Sequence, residues 1–385
     1  MAGLWLLLPT AVPGDLALPA VDEETVFGAA LVERAERFER LLLLLWLCAQ
    51  AALLLVLWFY ARRGARFARE SAAGPLGTGM LLGMLGLGLV WLAQLPFGLV
   101  ALWWERRYDV SEVGYLEWLL GDWATLGAEF TAISLALLIV MGLARRVGEW
   151  WWIPGAAVFV AIAALFTFGA PYLTFGLERL DDPALQAAGE RYEAQQGVEG
   201  IPIRVEEVSG DTSQANAYAF GLGPSRRIVL WDTLLDGRFS DGEERVVLAH
   251  EIAHHSSDHL AKGLAWFALF ALPGAWVLMR LTRGRGGMGE PAAVPVALLV
   301  VAVLQLAAAP AQNLISRRME AEADWKALQS TRDPASARAL FVSFAETSLG
   351  DPDPPEWSEV VLGTHPTLAD RVAMAAAWRA RRNAG

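Results

Sequence analysis

The sequence predicts a multi-pass α-helical membrane protein of about six spans, with one α+β domain assembled from two separated polar segments. Three observations carry this. Apolar runs near the twenty residues that a bilayer core requires recur six times. The chain is 55% hydrophobic with 17 Trp, and its mean hydropathy is +0.36. The polar remainder concentrates in residues 173–262 and 313–385, together roughly 160 residues, enough for one compact domain. The net charge of −11 argues against nucleic acid as the main partner.

Residues 1–20, MAGLWLLLPTAVPGDLALPA, hold a short apolar core that ends at Pro13, Gly14 and Asp15. This reads as a signal peptide or as a short first hydrophobic segment that stays in place. Four spans are expected within 41–172, at about 41–60, 76–104, 123–143 and 150–172. Trp103 and Trp104 close the second, and Trp150, Trp151 and Trp152 open the fourth, as interfacial aromatic belts. Glu129 sits inside the third span and is expected to line a cavity, because an ionisable group in lipid is costly. The single cysteine, Cys48, lies in an apolar run and behaves as a small hydrophobe. A hairpin of two further spans, about 264–280 and 292–312, fills residues 263–312.

Loop charge predicts orientation. Residues 61–75, 144–149 and 280–291 hold four, two and three Arg, each against one Glu. The alternate loops are acidic: 105–122 has two positive and five negative residues, and 173–262 has eight and sixteen. The Lys/Arg bias places the three Arg-rich loops in the cytoplasm and the two polar segments outside.

In the first polar segment, IPIRVEEV (201–208), NAYAFGLG (216–223) and RIVLWDTLL (227–235) read as strands, the last two joined by a Gly-Pro-Ser turn. SDGE at 240–243 has capping-box spacing, so a helix is expected from there through HEIAHHSSDH and on towards the fifth span.

That decapeptide, residues 250–259, contains four of the five histidines. On a helix, His250 and His254 are one turn apart and share a face, so both imidazoles can grip one zinc ion. Glu251 then reaches a zinc-activated water as general base, the arrangement of His-Glu-x-x-His proteases. His255 and His259 share the spacing, but Ser256 stands where a base would be. His255 is therefore expected beside the site or at an interface, and Asp258 and His259 could orient other groups but are assigned no chemistry.

A catalytic zinc wants three protein ligands and an open position. SRRMEAEADWKAL (316–328) reads as a helix on which Glu320 and Asp324 share a face. On spacing alone either could be the ligand, Glu320 favoured, while the other orients a ligating His. An exposed acidic helix is the plain alternative, and Glu322 points elsewhere. His365, in THPTLADR, is by itself a loop residue; beside zinc it becomes a candidate oxyanion donor.

NAYAFGLGPSRRIVLWDTLL, VVLAHEIAHHSSDHL, SRRMEAEAD and THPTLADR occur in the order of the integral-membrane CAAX prenyl protease (type 1) and HtpX zinc metallopeptidases. The chain resembles this family over roughly 41–385, leaning towards the prenyl protease branch through RIVLWDTLL and LPFGLVALWWERRYDVSEVGYLEWLLGDW (95–123). The resemblance implies a zincin-like fold and one Zn2+ per chain, held by His250, His254 and Glu320. It implies Glu251 as general base, Asp324 behind a ligand, His365 on the tetrahedral intermediate and Arg371 near it. Asn216 and the backbone of Ala217 and Tyr218 match an edge strand to which a substrate polypeptide adds as a further β-strand. The eukaryotic prenyl protease is similar but has seven spans, and the family usually turns its catalytic domain to the cytosol, against the Arg pattern here.

A membrane-embedded zinc endopeptidase acting on membrane-associated, misfolded or lipid-modified polypeptides is the favoured reading. A signal transducer would carry an appended sensor, and only fourteen residues follow Arg371. A non-catalytic scaffold would lack a ligand or base, and every matched position is intact.

Overall fold

The computed structural model describes residues 10–69 and 71–384. Among the described residues, five helical stretches are long and apolar enough to cross a membrane: Glu24–Ala68, Gly74–Arg107, Tyr115–Leu173, His259–Arg285 and Pro291–Thr331. The third holds two helices. α1 (Ala29–Arg63), α2 (Gly74–Arg107), α3 (Tyr115–Val147) and α4 (Trp152–Leu173) come first. The expected third and fourth spans are thus joined without a loop. A single 3-10 turn, Gly148–Trp151, connects them, entered through Gly148 at φ 62, a conformation that favours glycine.

Helix α2 packs against α1 and α3. It comes close because small residues face its neighbours: a Cβ on Gly83 would lie 2.5 Å from Leu137 Cδ1, and one on Gly86 2.3 Å from Leu298 Cδ1. Glu129 is exposed in α3.

The polar domain begins with β1 (Glu178–Arg179), α5 (Pro183–Gln196), β2 (Ile203–Glu206), β3 (Ala217–Phe220) and β4 (Arg227–Trp231). The sheet order is β1-β2-β4-β3, with β2 parallel to β4 and the other pairs antiparallel. Ile228, Val229 and Leu230 are fully buried, as a strand covered on both faces requires, while β3 is left as an edge. A 3-10 turn at Gly223–Ser225 joins β3 to β4.

Helix α6 (Asp241–Ser256) starts at a reciprocal capping box: Ser240 Oγ accepts from the Glu243 amide, and Glu243 Oε2 accepts from the Ser240 amide at 2.8 Å. It does not run on into the fifth span as expected. Asp258 adopts the left-handed conformation (φ 52), and α7 (His259–Thr282) starts afresh beyond it. Helix α8 (Val294–Thr331) runs unbroken from the sixth span into the polar domain. α9 (Pro334–Ser348), α10 (Glu356–Leu362) and α11 (Leu368–Ala384) complete the chain.

One core unites the two polar segments. Leu185, Ile203, Leu248 and Ile252 of the first pack with Trp325, Leu340, Phe341 and Val372 of the second. The first nine residues of the expected signal or hydrophobic segment, 1–20, lie outside the described residues. Residues 10–20 form no helix; Val12 and Leu16 pack on this same core, and Asp15 accepts from Arg381 at 3.1 Å. The three Arg-rich loops meet at the opposite end. There Arg145 Nη1 donates to the Gly289 carbonyl at 3.1 Å, Arg285 Nη2 to that of Ala61 at 3.1 Å, and Arg283 pairs with Glu149.

Candidate metal centre

The helical period of α6 turns His250 and His254 to one side, their Nε2 atoms 3.0 Å apart. Helix α8 brings Glu320 against them: Oε2 is 3.2 Å from His250 Nε2, and Oε1 is 3.6 Å from His254 Nε2. His250 and Glu320 are each 8% exposed. Ligand atoms of all three lie within 4.8 Å of one another, the one such group among the described residues.

These residues fit a metal ion. The His250 Nδ1 hydrogen points away, to Asp324 Oδ1 at 2.9 Å, leaving Nε2 as a bare lone pair. Glu320 Oε2 is buried with no hydrogen-bond partner. Two imidazole lone pairs and a carboxylate converging in a dry place need a cation among them.

Asp324 is not a ligand in this geometry. It accepts from His250 on one side and from Arg371 on the other, Nε at 2.8 Å and Nη2 at 2.7 Å. Arg371 therefore braces the carboxylate behind His250, and its guanidinium lies over the Phe341 ring at 4.3 Å.

Glu251 is 6% exposed. Burial pushes its carboxyl up to about 7, against the opposing pull of His250 and of the Ala219 amide. That is a suitable range for a group that takes and returns a proton near neutrality. His365 stands on the open side with a side chain 56% exposed, its Nε2 3.2 Å from Glu320 Oε2. Its loop is held from α8: Arg317 Nη1 donates to the Glu359 carbonyl at 2.6 Å and to that of Gly363 at 2.7 Å.

The edge strand lies beside Glu251. Trp231 donates its amide to the Asn216 carbonyl at 3.0 Å. Antiparallel alternation then turns Tyr218 towards β4 and the backbone groups of Ala217 and Ala219 to the open edge. The backbone of Tyr218, expected on the open edge, thus faces β4, and that of Ala219 takes the edge position for reasons of register; the Tyr218 hydroxyl donates to Glu206 at 3.0 Å. Asn216 Oδ1 accepts from the Ala217 amide at 2.9 Å.

Three groups escaped the sequence reading. Ala219 was hidden in ladder parity, and Arg317 looked like a surface partner of an acidic helix. His259, assigned no chemistry, lies buried against His254. His255, expected beside the site or at an interface, has Nε2 3.0 Å from the Arg227 carbonyl and so ties α6 to β4.

A bundle of membrane-length helices carrying a buried His-His-Glu cluster beside a carboxylate and an open strand edge defines a membrane metalloprotease. Comparison with known proteins supports that class. The chain belongs to peptidase family M48, whose pattern matches residues 179–379. It is 28% identical over 300 residues to the Uncharacterized metalloprotease YhfN of Bacillus subtilis (strain 168), covering 73% of this chain and 69% of the relative. It is 30% identical over 184 residues to a CAAX prenyl protease 1 homolog of Oryza sativa subsp. japonica, covering 43% of this chain and 41% of the relative. The match therefore spans less than half of the rice protein. The crystal structure of S. mikatae Ste24p shares the fold, with a TM-score of 0.62 at 20% identity over 77% of this chain and 75% of that one.

Proposed function

We propose that the chain is a zinc-dependent endopeptidase that hydrolyses membrane-associated, misfolded or lipid-modified polypeptides at the membrane surface. The observation that carries this is the His250, His254 and Glu320 cluster with buried Glu251 next to the open edge of β3. One Zn2+ held by the three ligands supplies Lewis acidity at the scissile carbonyl.

The chain's own residues do the rest. An extended substrate adds to β3 as a further strand, bonding to the backbone of Ala217 and to the Ala219 carbonyl, while the Ala219 amide stays with Glu251. The Ala217 amide is released for this by a turn of the Asn216 side chain. Glu251 takes the proton of the attacking water and returns it to the leaving amine. His365, on the open side, donates to the oxygen as it gains charge. Asp324 and Arg371 keep the His250 ring in its ligating orientation.

A cavity of about 690 Å3 adjoins His365, Arg371 and Asn216 and is walled by Leu42, Leu43 and Trp46 of α1. An apolar wall from a membrane helix beside the scissile position favours substrates that carry a large apolar or lipid group near the cleaved bond. The Arg-rich loops at the far end favour an outward-facing catalytic part.

The test is hydrolysis of an unfolded polypeptide by the detergent-purified, zinc-loaded protein. Activity should vanish with a chelator and return with zinc. Glu251→Gln should keep its metal and lose about 100- to 10,000-fold in kcat. Equal activity of the two proteins, or none from either, overturns the proposal.

A further inference from the structure

We propose that His259 and Glu322 are positioning residues for the ligand His254, forming a second imidazole–carboxylate relay opposite the one made by Asp324. The inference rests on the reading of His250, His254 and Glu320 as metal ligands. His254 directs Nε2 at that cluster, and its other nitrogen, Nδ1, lies 3.0 Å from His259 Nδ1. His259 Nε2 lies 3.2 Å from Glu322 Oε2.

The order of these contacts supplies an arrangement of hydrogens that leaves His254 Nε2 free for the metal. The carboxylate only accepts, so His259 carries its hydrogen on Nε2. His259 Nδ1 is then an acceptor, so His254 carries its hydrogen on Nδ1. That leaves the His254 Nε2 lone pair facing Glu320 and His250, the one tautomer able to bind a metal there. The relay fixes both the tautomer and the ring plane of His254, as Asp324 does for His250.

The arrangement is built from three separate parts of the chain. His259 is 4% exposed and Glu322 7%. The left-handed Asp258 breaks the helix and returns His259 onto His254, with the two ring centroids 5.0 Å apart. Glu322 Oε1 accepts from the Ala11 amide at 3.0 Å, and Lys262 Nζ stands 3.9 Å from Oε2. The N-terminal segment, α7 and α8 all converge on one carboxylate whose remaining contact is the relay.

The experiment measures zinc affinity of the full-length, detergent-purified protein by competition with a chromophoric chelator. His259→Phe keeps a ring but no relay and should weaken zinc binding 10- to 100-fold. His259→Gln retains an acceptor for His254 and a donor for Glu322, and should recover most of that loss. The absorption bands of the cobalt-substituted protein should shift in His259→Phe and return in His259→Gln, which a purely structural role would not produce. The double variant His259→Phe, Glu322→Leu removes both polar partners together and serves if the single variant does not fold. Wild-type zinc affinity in His259→Phe or in the double variant overturns the relay. Wild-type protein that binds no zinc overturns the metal reading itself, so the two failures are distinct.

Discussion

His250 presents a usable lone pair because its other nitrogen is committed to Asp324, and Asp324 stays charged beside it because Arg371 grips both its oxygens. This chain of dependence makes Arg371 a structural necessity as well as a neighbour of the cavity. Arg371→Leu leaves Asp324 buried without its counter-ion and should destabilise the fold by about 3–5 kcal/mol. Denaturant unfolding of the metal-free protein checks this, and an unchanged midpoint would rule the brace out. The two histidines and the Glu beside them were legible in the sequence, since a one-turn repeat of His with an adjoining Glu has few other uses, whereas Glu320 stood beside Asp324 on spacing alone. The brace was not: Arg371 lies 47 residues from Asp324, and no periodicity links them.

Helix α6 and strand β3 act as a pair. The capping box at Ser240 and Glu243 sets where α6 begins and hence which face carries the histidines. Ser240→Ala should cost about 1 kcal/mol of stability, read from the same unfolding curves, with the metal site intact. Register along β3 decides which backbone groups a substrate meets. Ala217→Pro removes an amide that points away from β4, so the sheet should survive. Its expected effect is a rise in KM of roughly tenfold for peptide substrates, the equivalent of one lost hydrogen bond, with zinc content unchanged. An unaltered KM would place the substrate elsewhere. The strands themselves could be read from alternation and turn residues, but which of Ala217, Tyr218 and Ala219 face the open edge depends on pairing with β4, a contact that no local pattern encodes.

At the scale of the molecule, two polar segments on either side of a helical hairpin share one core, so the membrane helices and the catalytic part are mechanically continuous through α8. The three Arg-rich loops meet at one end and the metal centre lies at the other. A reporter fused after Gly385 should therefore read as external, and one inserted within 144–149 as cytoplasmic. The reverse result would turn the catalytic part to the cytosol and shift the substrates to that side.

The sequence by itself pointed to the apolar spans, three of the four strands, the start of α6 and the pairing of His250 and His254 with Glu251. Each of these follows from short-range patterns: apolar length, alternation, capping and helical spacing. Tertiary structure alone decided that Arg371 holds Asp324. It also decided that Ala219 shares the open edge and that His259 returns onto His254 beyond a break in the helix, whereas Asp324 behind a ligand was already implied by the family resemblance. These depend on which distant segments meet, and that is set by packing in a common core rather than by any residue's neighbours along the chain.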